Sequence, residues 1–231
     1  MTAGEPAATR AAHALREDLP RLRGLLHAYA FWAALAAAIV LVVLAPSSPA
    51  RTTAGIYGAG LCALFAASAI YHRYRGSRRI KAILRRVDHS TIFVFIAASY
   101  TPIAVLVLRS PLDVIVLVSV WAGALAGVAF SVAWIEAPRA LVAGCYIAIG
   151  WVAVVALPQL SGRLGLGPVL LILAGGVLYS LGALAYALQR PNPWPRWFGY
   201  HEVFHGLVIA AAVLHFVAIA EVVLRPVSAH A

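Results

Sequence analysis

Charge is what this 231-residue sequence has least of: Asp, Glu, Lys and Arg make up 11% of it, against 63% apolar residues. Soluble domains carry about 25% charged and about 45–50% apolar residues, so a water-soluble globular fold is excluded. Lysine is almost missing, Lys81 being the only one. Cysteine is scarce as well. Cys62 and Cys145 both lie inside apolar runs, which excludes a disulfide framework or a cysteine metal cluster and leaves two small buried side chains. Residues 1–24 are polar and Arg-rich, with no short apolar core before a cleavage site, so no signal peptide is expected. The net charge of +10 does not point to nucleic acid. The basic residues cluster between apolar runs, where the positive-inside rule accounts for them. The dominance of Ala, Arg and Gly fits a bacterial protein, and the expected location is the cell membrane.

What is present is a series of apolar runs of the roughly 20 residues that a helix needs to cross a bilayer. The expected fold is therefore all-α: a polytopic membrane protein of seven transmembrane helices. The spans read as 27–45, ending at Pro46; 53–72; 88–108, with Pro102 inside; 112–134; 140–158, ending at Pro158; 167–188; and 200–224. A basic loop, 73–86, holds seven Lys/Arg residues, and a Pro/Trp-rich breaker, 189–199, precedes the last span. The domain reading is a cytoplasmic tail 1–26, one transmembrane domain 27–224 and a short external tail 225–231. The loops that share a side with the N-terminus hold 14 Lys/Arg and the others hold 4. The N-terminus is thus expected in the cytoplasm and the C-terminus outside. Glycines inside the spans permit close helix packing, and Gly123–Gly127, a GxxxG pair, reads as packing within one bundle rather than a dimer seam. The oligomeric state is left open.

The unusual stretch is Tyr200 to His215, YHEVFHGLVIAAAVLH. His201 and His205 stand at i and i+4, on one helix face, so both imidazoles reach one point. An ionisable pair at membrane depth is by default a functional hypothesis. Span two closes with Ser68 and His72, again i and i+4, and span three opens with Asp88-His89-Ser90. With the topology above, all of these fall near the cytoplasmic face. Three histidines form an open zinc site, whose remaining position can hold an activated water. Asp88 is the candidate to hold that water, act as general base or orient a ligand, and Ser68 the candidate to hydrogen-bond a carbonyl, the water or its own helix. Asp88 rather than its neighbour His89 is expected to face the bundle centre. His215 sits about 15 Å deeper than His205 and is expected to be a hydrogen-bonded core histidine. His13, His27 and His230 lie in or beside the tails and carry no signal. Glu202 is expected to face the interfacial headgroups.

Ser-x-x-x-His at the end of span two, Asp-His-Ser at the start of span three and His-Glu-x-Phe-His opening span seven resemble the hemolysin III family, the bacterial branch of the progestin and adiponectin receptor family. The resemblance covers nearly the whole chain. It implies a zinc ion on His72, His201 and His205, with Asp88 linked through water and Ser68 beside it. The wider superfamily resembles alkaline ceramidases, which implies a zinc-dependent hydrolase of a lipid amide or ester, with membrane lipids as partners. The alternative is a receptor-like or cytolytic protein in which zinc is structural. His201-Glu-Val-Phe-His205 also matches HExxH, the metalloprotease signature, but no Asp-Gly pair accompanies it, which disfavours an intramembrane protease.

Overall fold

The structure is a computed structural model and describes residues 20–225. His13, His230 and most of both expected tails lie outside the described residues. Among the described residues eight helices follow in order: α1 (Leu25–Leu44), α2 (Ser48–Arg73), α3 (Arg78–Leu106), α4 (Leu112–Ala133), α5 (Arg139–Gly150), α6 (Ala153–Leu164), α7 (Leu166–Leu188) and α8 (Tyr200–Leu224). Helices α5 and α6 together form one span, Arg139–Leu164, so seven segments are long and apolar enough to cross a membrane. The fold is all-helical among the described residues, and the protein is a multi-pass membrane protein. Successive helices pack side by side, and α8 closes the bundle by lying against α1, α2, α3 and α7.

Two spans differ from the sequence expectation. The first is span three. The basic segment is not a loop throughout: only Tyr74–Ser77 separates α2 from α3. The Ser77 hydroxyl accepts the Ile80 N–H and caps α3, and no breaker follows until Pro102, so the helix runs for 29 residues. At 1.5 Å per residue that is about 43 Å, well beyond the roughly 30 Å hydrocarbon core. The first turns, with Arg78, Arg79, Lys81, Arg85 and Arg86, therefore project beyond the bilayer, and Asp88 lies inside the helix rather than at its start. Lys81 Nζ donates to the carbonyls of Tyr71 at 2.8 Å and Tyr74 at 3.1 Å, tying the end of α2 to α3.

The second is span five. Pro158 does not end it; the helix continues to Leu164, and the interruption falls earlier, at Trp151–Val152. A proline ring clashes with the carbonyl four residues back and removes one hydrogen bond, so Pro158 disturbs the turn at Val154, past the interruption. The backbone groups that flank the interruption are met by Tyr100 of α3. Its hydroxyl donates to Gly150 O at 2.5 Å and accepts the Ala153 N–H at 2.8 Å, as broken backbone at membrane depth requires.

Small residues set the helix spacing. A Cβ at Gly58 would stand 2.7 Å from Ala38 Cβ, and one at Gly60 would stand 2.7 Å from Ala98 Cβ. A side chain at Gly127 would overlap the Phe93 ring, and Gly123 faces Ile149. The GxxxG pair is thus consumed inside the bundle, as expected.

Candidate metal centre

One end of the bundle gathers the polar residues. Ser68 and His72 come from the last turns of α2, Asp88 from α3, and His201 and His205 from the first turns of α8. The start of α8 is fixed locally. Asn192 Oδ1 in the preceding breaker accepts the Tyr200 N–H at 2.8 Å, and Glu202 Oε2 accepts the Gly199 N–H at 2.9 Å. These bonds satisfy two otherwise orphaned groups at the helix start and set the rotation of the turn that carries both histidines.

The structure brings His72, His201 and His205 together: one ligand nitrogen of each lies within 4.8 Å of the others. His201 Nε2 and His72 Nε2 are 3.0 Å apart. Three nitrogens bound to one tetrahedral ion at about 2.0–2.1 Å would stand roughly 3.3–3.4 Å from one another. One separation lies just below that value and all lie within 4.8 Å, so the triad could hold a small divalent ion after side-chain rotation. The donor set, three imidazoles with no thiolate, suits zinc, copper, iron or nickel. Asp88 Oδ2 stands 3.9 Å from His72 Nε2, beyond hydrogen-bond length and one small atom short of the triad. Asp88 is 8% exposed and Ser68 3% exposed, and the Ser68 side chain lies beside the Asp88 carboxyl. His89 does not join the triad, although it lines the same cavity.

His215 belongs elsewhere on α8. Its Nε2 meets Ile172 O at 3.0 Å, and its ring fills the space left by Gly175. It is a hydrogen-bonded core histidine, as expected.

Two readings need correction. His27 is not a peripheral residue of the tail: α1 begins at Leu25, and His27 is 2% exposed. Its ring stacks on that of His205, with centroids 3.8 Å apart and planes 14° apart. The available signal was depth, because span one starts at the same end of the bundle as span seven. Glu202 does not face headgroups either. It is fully buried, ion-paired with Arg23 and engaged by Gly199. Position i+1 lies about 100° around the helix from His201, and that turn points the carboxylate at the incoming N-terminal segment.

A cavity of about 150 Å³ opens beside His201 and His205 of the triad. Its near wall includes His201, His205, Asp88 and Ser68, and its far wall is mostly apolar, passing His215 and reaching Leu108, Leu160 and Ile219. It follows the bundle axis between α3, α5, α6, α7 and α8. A polar centre at the mouth of an apolar channel can hold a polar head group next to a hydrocarbon chain.

Comparison with known proteins gives the family of the chain. The chain matches the family described as Haemolysin-III related over residues 16–216. It is 30% identical over 161 residues to the Hemolysin-3 homolog of Bacillus subtilis (strain 168), covering 70% of this chain and 72% of that protein. It is 29% identical to Hemolysin-3 of Bacillus cereus, over 70% of each chain. Similarity extends to the human monocyte to macrophage differentiation factor, at 27% identity over 197 residues, 84% of this chain and 79% of that one. The range 16–216 contains Ser68, Asp88 and all three triad histidines. With seven membrane-spanning segments and that match across the whole candidate centre, the chain belongs to the haemolysin III-related family.

Proposed function

We propose that this protein is a zinc-dependent hydrolase of a lipid amide or ester, working at the cytoplasmic end of the bundle. The observation that carries the reading is the cavity. It joins His201 and His205 of the convergent triad and a buried carboxylate to an apolar channel along the bundle axis. A zinc ion on His72, His201 and His205 would supply Lewis-acid polarisation of a carbonyl and activation of water near neutral pH.

The chain's own residues have separate tasks. Asp88 Oδ2, 3.9 Å from His72 Nε2, is positioned to take the proton that the attacking water gives up. It would then return it to the departing amine or alcohol. Ser68, beside the Asp88 carboxyl, would hold it toward the triad. The apolar wall binds the acyl chain, so binding energy from the chain orients the scissile bond. Glu202 has no part in the chemistry, because Arg23 and Gly199 occupy its carboxylate. This argues against reading HExxH here as a protease motif. The histidine end as the cytoplasmic end rests on the 14 to 4 distribution of Lys/Arg.

A second reading is a receptor-like or cytolytic protein with a structural zinc. It is favoured by the Bacillus cereus relative, whose name is Hemolysin-3. Fatty acid release from ceramides, other N-acyl lipids and lysolipids in detergent separates the two. The hydrolase reading expects release by wild type, loss in Asp88→Asn and persistence in His215→Ala. No release from any lipid, with the biological activity of Asp88→Asn unchanged, would favour the structural zinc.

A further inference from the structure

We propose that the first span builds a fourth wall of the metal centre: His27 is a positioning residue that fixes the plane of the His205 ring, and the strap at residues 20–24 locks it there. This rests on the reading that the triad holds a metal ion. A ligating imidazole is ordinarily oriented by a hydrogen bond from its other ring nitrogen to a carboxylate, carbonyl or water. Nδ1 of His205 is buried and makes no hydrogen bond among the described residues, so, whichever nitrogen faces the ion, no hydrogen bond from Nδ1 fixes the ring. What lies against the ring is the flat face of His27, nearly parallel and 3.8 Å away. Phe65 backs His27 from another side, with centroids 5.1 Å apart. Neither nitrogen of His27 reaches a partner at full hydrogen-bonding geometry, the His205 backbone being the group its ring approaches, so its main contribution at this position comes from the face of its ring.

The strap ties this element to the other two ligands. Gly24 caps α1 with φ +76°, and a Cβ there would stand 2.7 Å from His72 Cβ. The backbone of the strap therefore rests on His72, and only glycine meets both the conformation and the contact. Arg23 pairs with Glu202, the neighbour of His201. The Arg21 N–H donates to Arg196 O at 3.1 Å and the Leu22 N–H to Trp197 O at 3.3 Å, while the Arg21 guanidinium sits 4.5 Å over the Trp197 ring. Within eight residues the chain touches His72, the turn that carries His201, and His205. Loss of this wall would leave the ligand atoms present but their geometry loose.

The test uses cobalt(II) as the probe, in full-length protein stripped of metal and kept in detergent. His27→Leu keeps the bulk and apolar character of the site but removes the flat ring. His27→Phe keeps the ring and removes the nitrogens. His215→Ala alters another interior histidine on the same helix as His205. The proposal expects His27→Leu to bind cobalt about 10–100-fold more weakly, the range seen when ligand-orienting partners are lost, with a changed visible spectrum. His27→Phe and His215→Ala are expected to match wild type in both affinity and spectrum. Wild-type affinity and spectrum in His27→Leu would overturn the proposal, as would a His27→Phe protein as impaired as His27→Leu. A wild type that takes up no cobalt would overturn the metal reading itself, and the positioning role with it.

Discussion

The two ends of the bundle use the same residue types for different work. At the end opposite the histidines, arginines close helix termini. Arg51 donates to Ala45 O at the end of α1, Arg163 to Val107 O at the end of α3, and Arg225 to Arg163 O and Leu164 O at the end of α6. Cations at helix C-termini satisfy orphan carbonyls and complement the helix dipole. At the histidine end, Lys81 and Arg86 close α2 and α4 in the same way, but Arg23 neutralises the fully buried Glu202 and three imidazoles converge. One end is closed by its polar groups. The other is closed too, and in addition it turns polar groups toward a cavity, which is the arrangement a site needs and a purely structural end does not.

If the histidine end is catalytic, the largest effect belongs to Asp88. Asp88→Asn keeps the shape and removes the proton acceptor, so fatty acid release should fall about 10²–10⁴-fold. Bound zinc should drop only modestly, because Asp88 stands 3.9 Å from the nearest ligand nitrogen. Parallel loss of zinc and activity would make Asp88 a ligand instead.

Stability should separate the ends next. Glu202→Ala strands Arg23 in a largely buried position, and breaking a buried ion pair from one side costs about 3–5 kcal/mol. Arg225→Ala removes partly exposed hydrogen bonds, for which about 1–2 kcal/mol is expected. Unfolding in detergent, measured side by side, should rank Glu202→Ala as the more damaging. The reverse order would break the contrast between a buried functional end and a solvent-facing structural one.

A smaller difference lies in the glycines. Gly127→Ala drives a methyl into the buried Phe93 ring and should cost about 1–3 kcal/mol. Gly144→Ala meets nothing within 4 Å and should be neutral or stabilising by up to about 1 kcal/mol. Equal effects at both positions would mean that α3 and α4 pack less tightly than the Gly127–Phe93 contact indicates.

These contrasts also mark what could be read from the sequence. The spans were legible because bilayer thickness sets their length and hydropathy needs no tertiary knowledge. The triad was legible because i and i+4 spacing fixes a helix face, and a common depth brought His72 to His201 and His205. The register of α3 was not legible, since a basic segment looks the same as loop or as projecting helix until its Ser77 cap is weighed. The break in span five was missed because Pro158, the visible breaker, lies beyond it, and the group that meets the broken backbone, Tyr100, comes from another span. His27 and Glu202 were misread for one reason. Their partners, His205 and Arg23, are nearly the whole chain away, and only the closure of α8 against α1 brings them together.

The most direct test of the account is the metal content of the purified chain and four alanine variants. Wild type should carry about one zinc per chain. His72→Ala, His201→Ala and His205→Ala should each lose most of it, by more than the roughly 10–100-fold in affinity that loss of an outer-shell partner costs. His215→Ala, whose Nε2 meets Ile172 O, should keep its zinc. A zinc-free wild type that refuses added metal, or equal loss in His215→Ala, would contradict the metal centre.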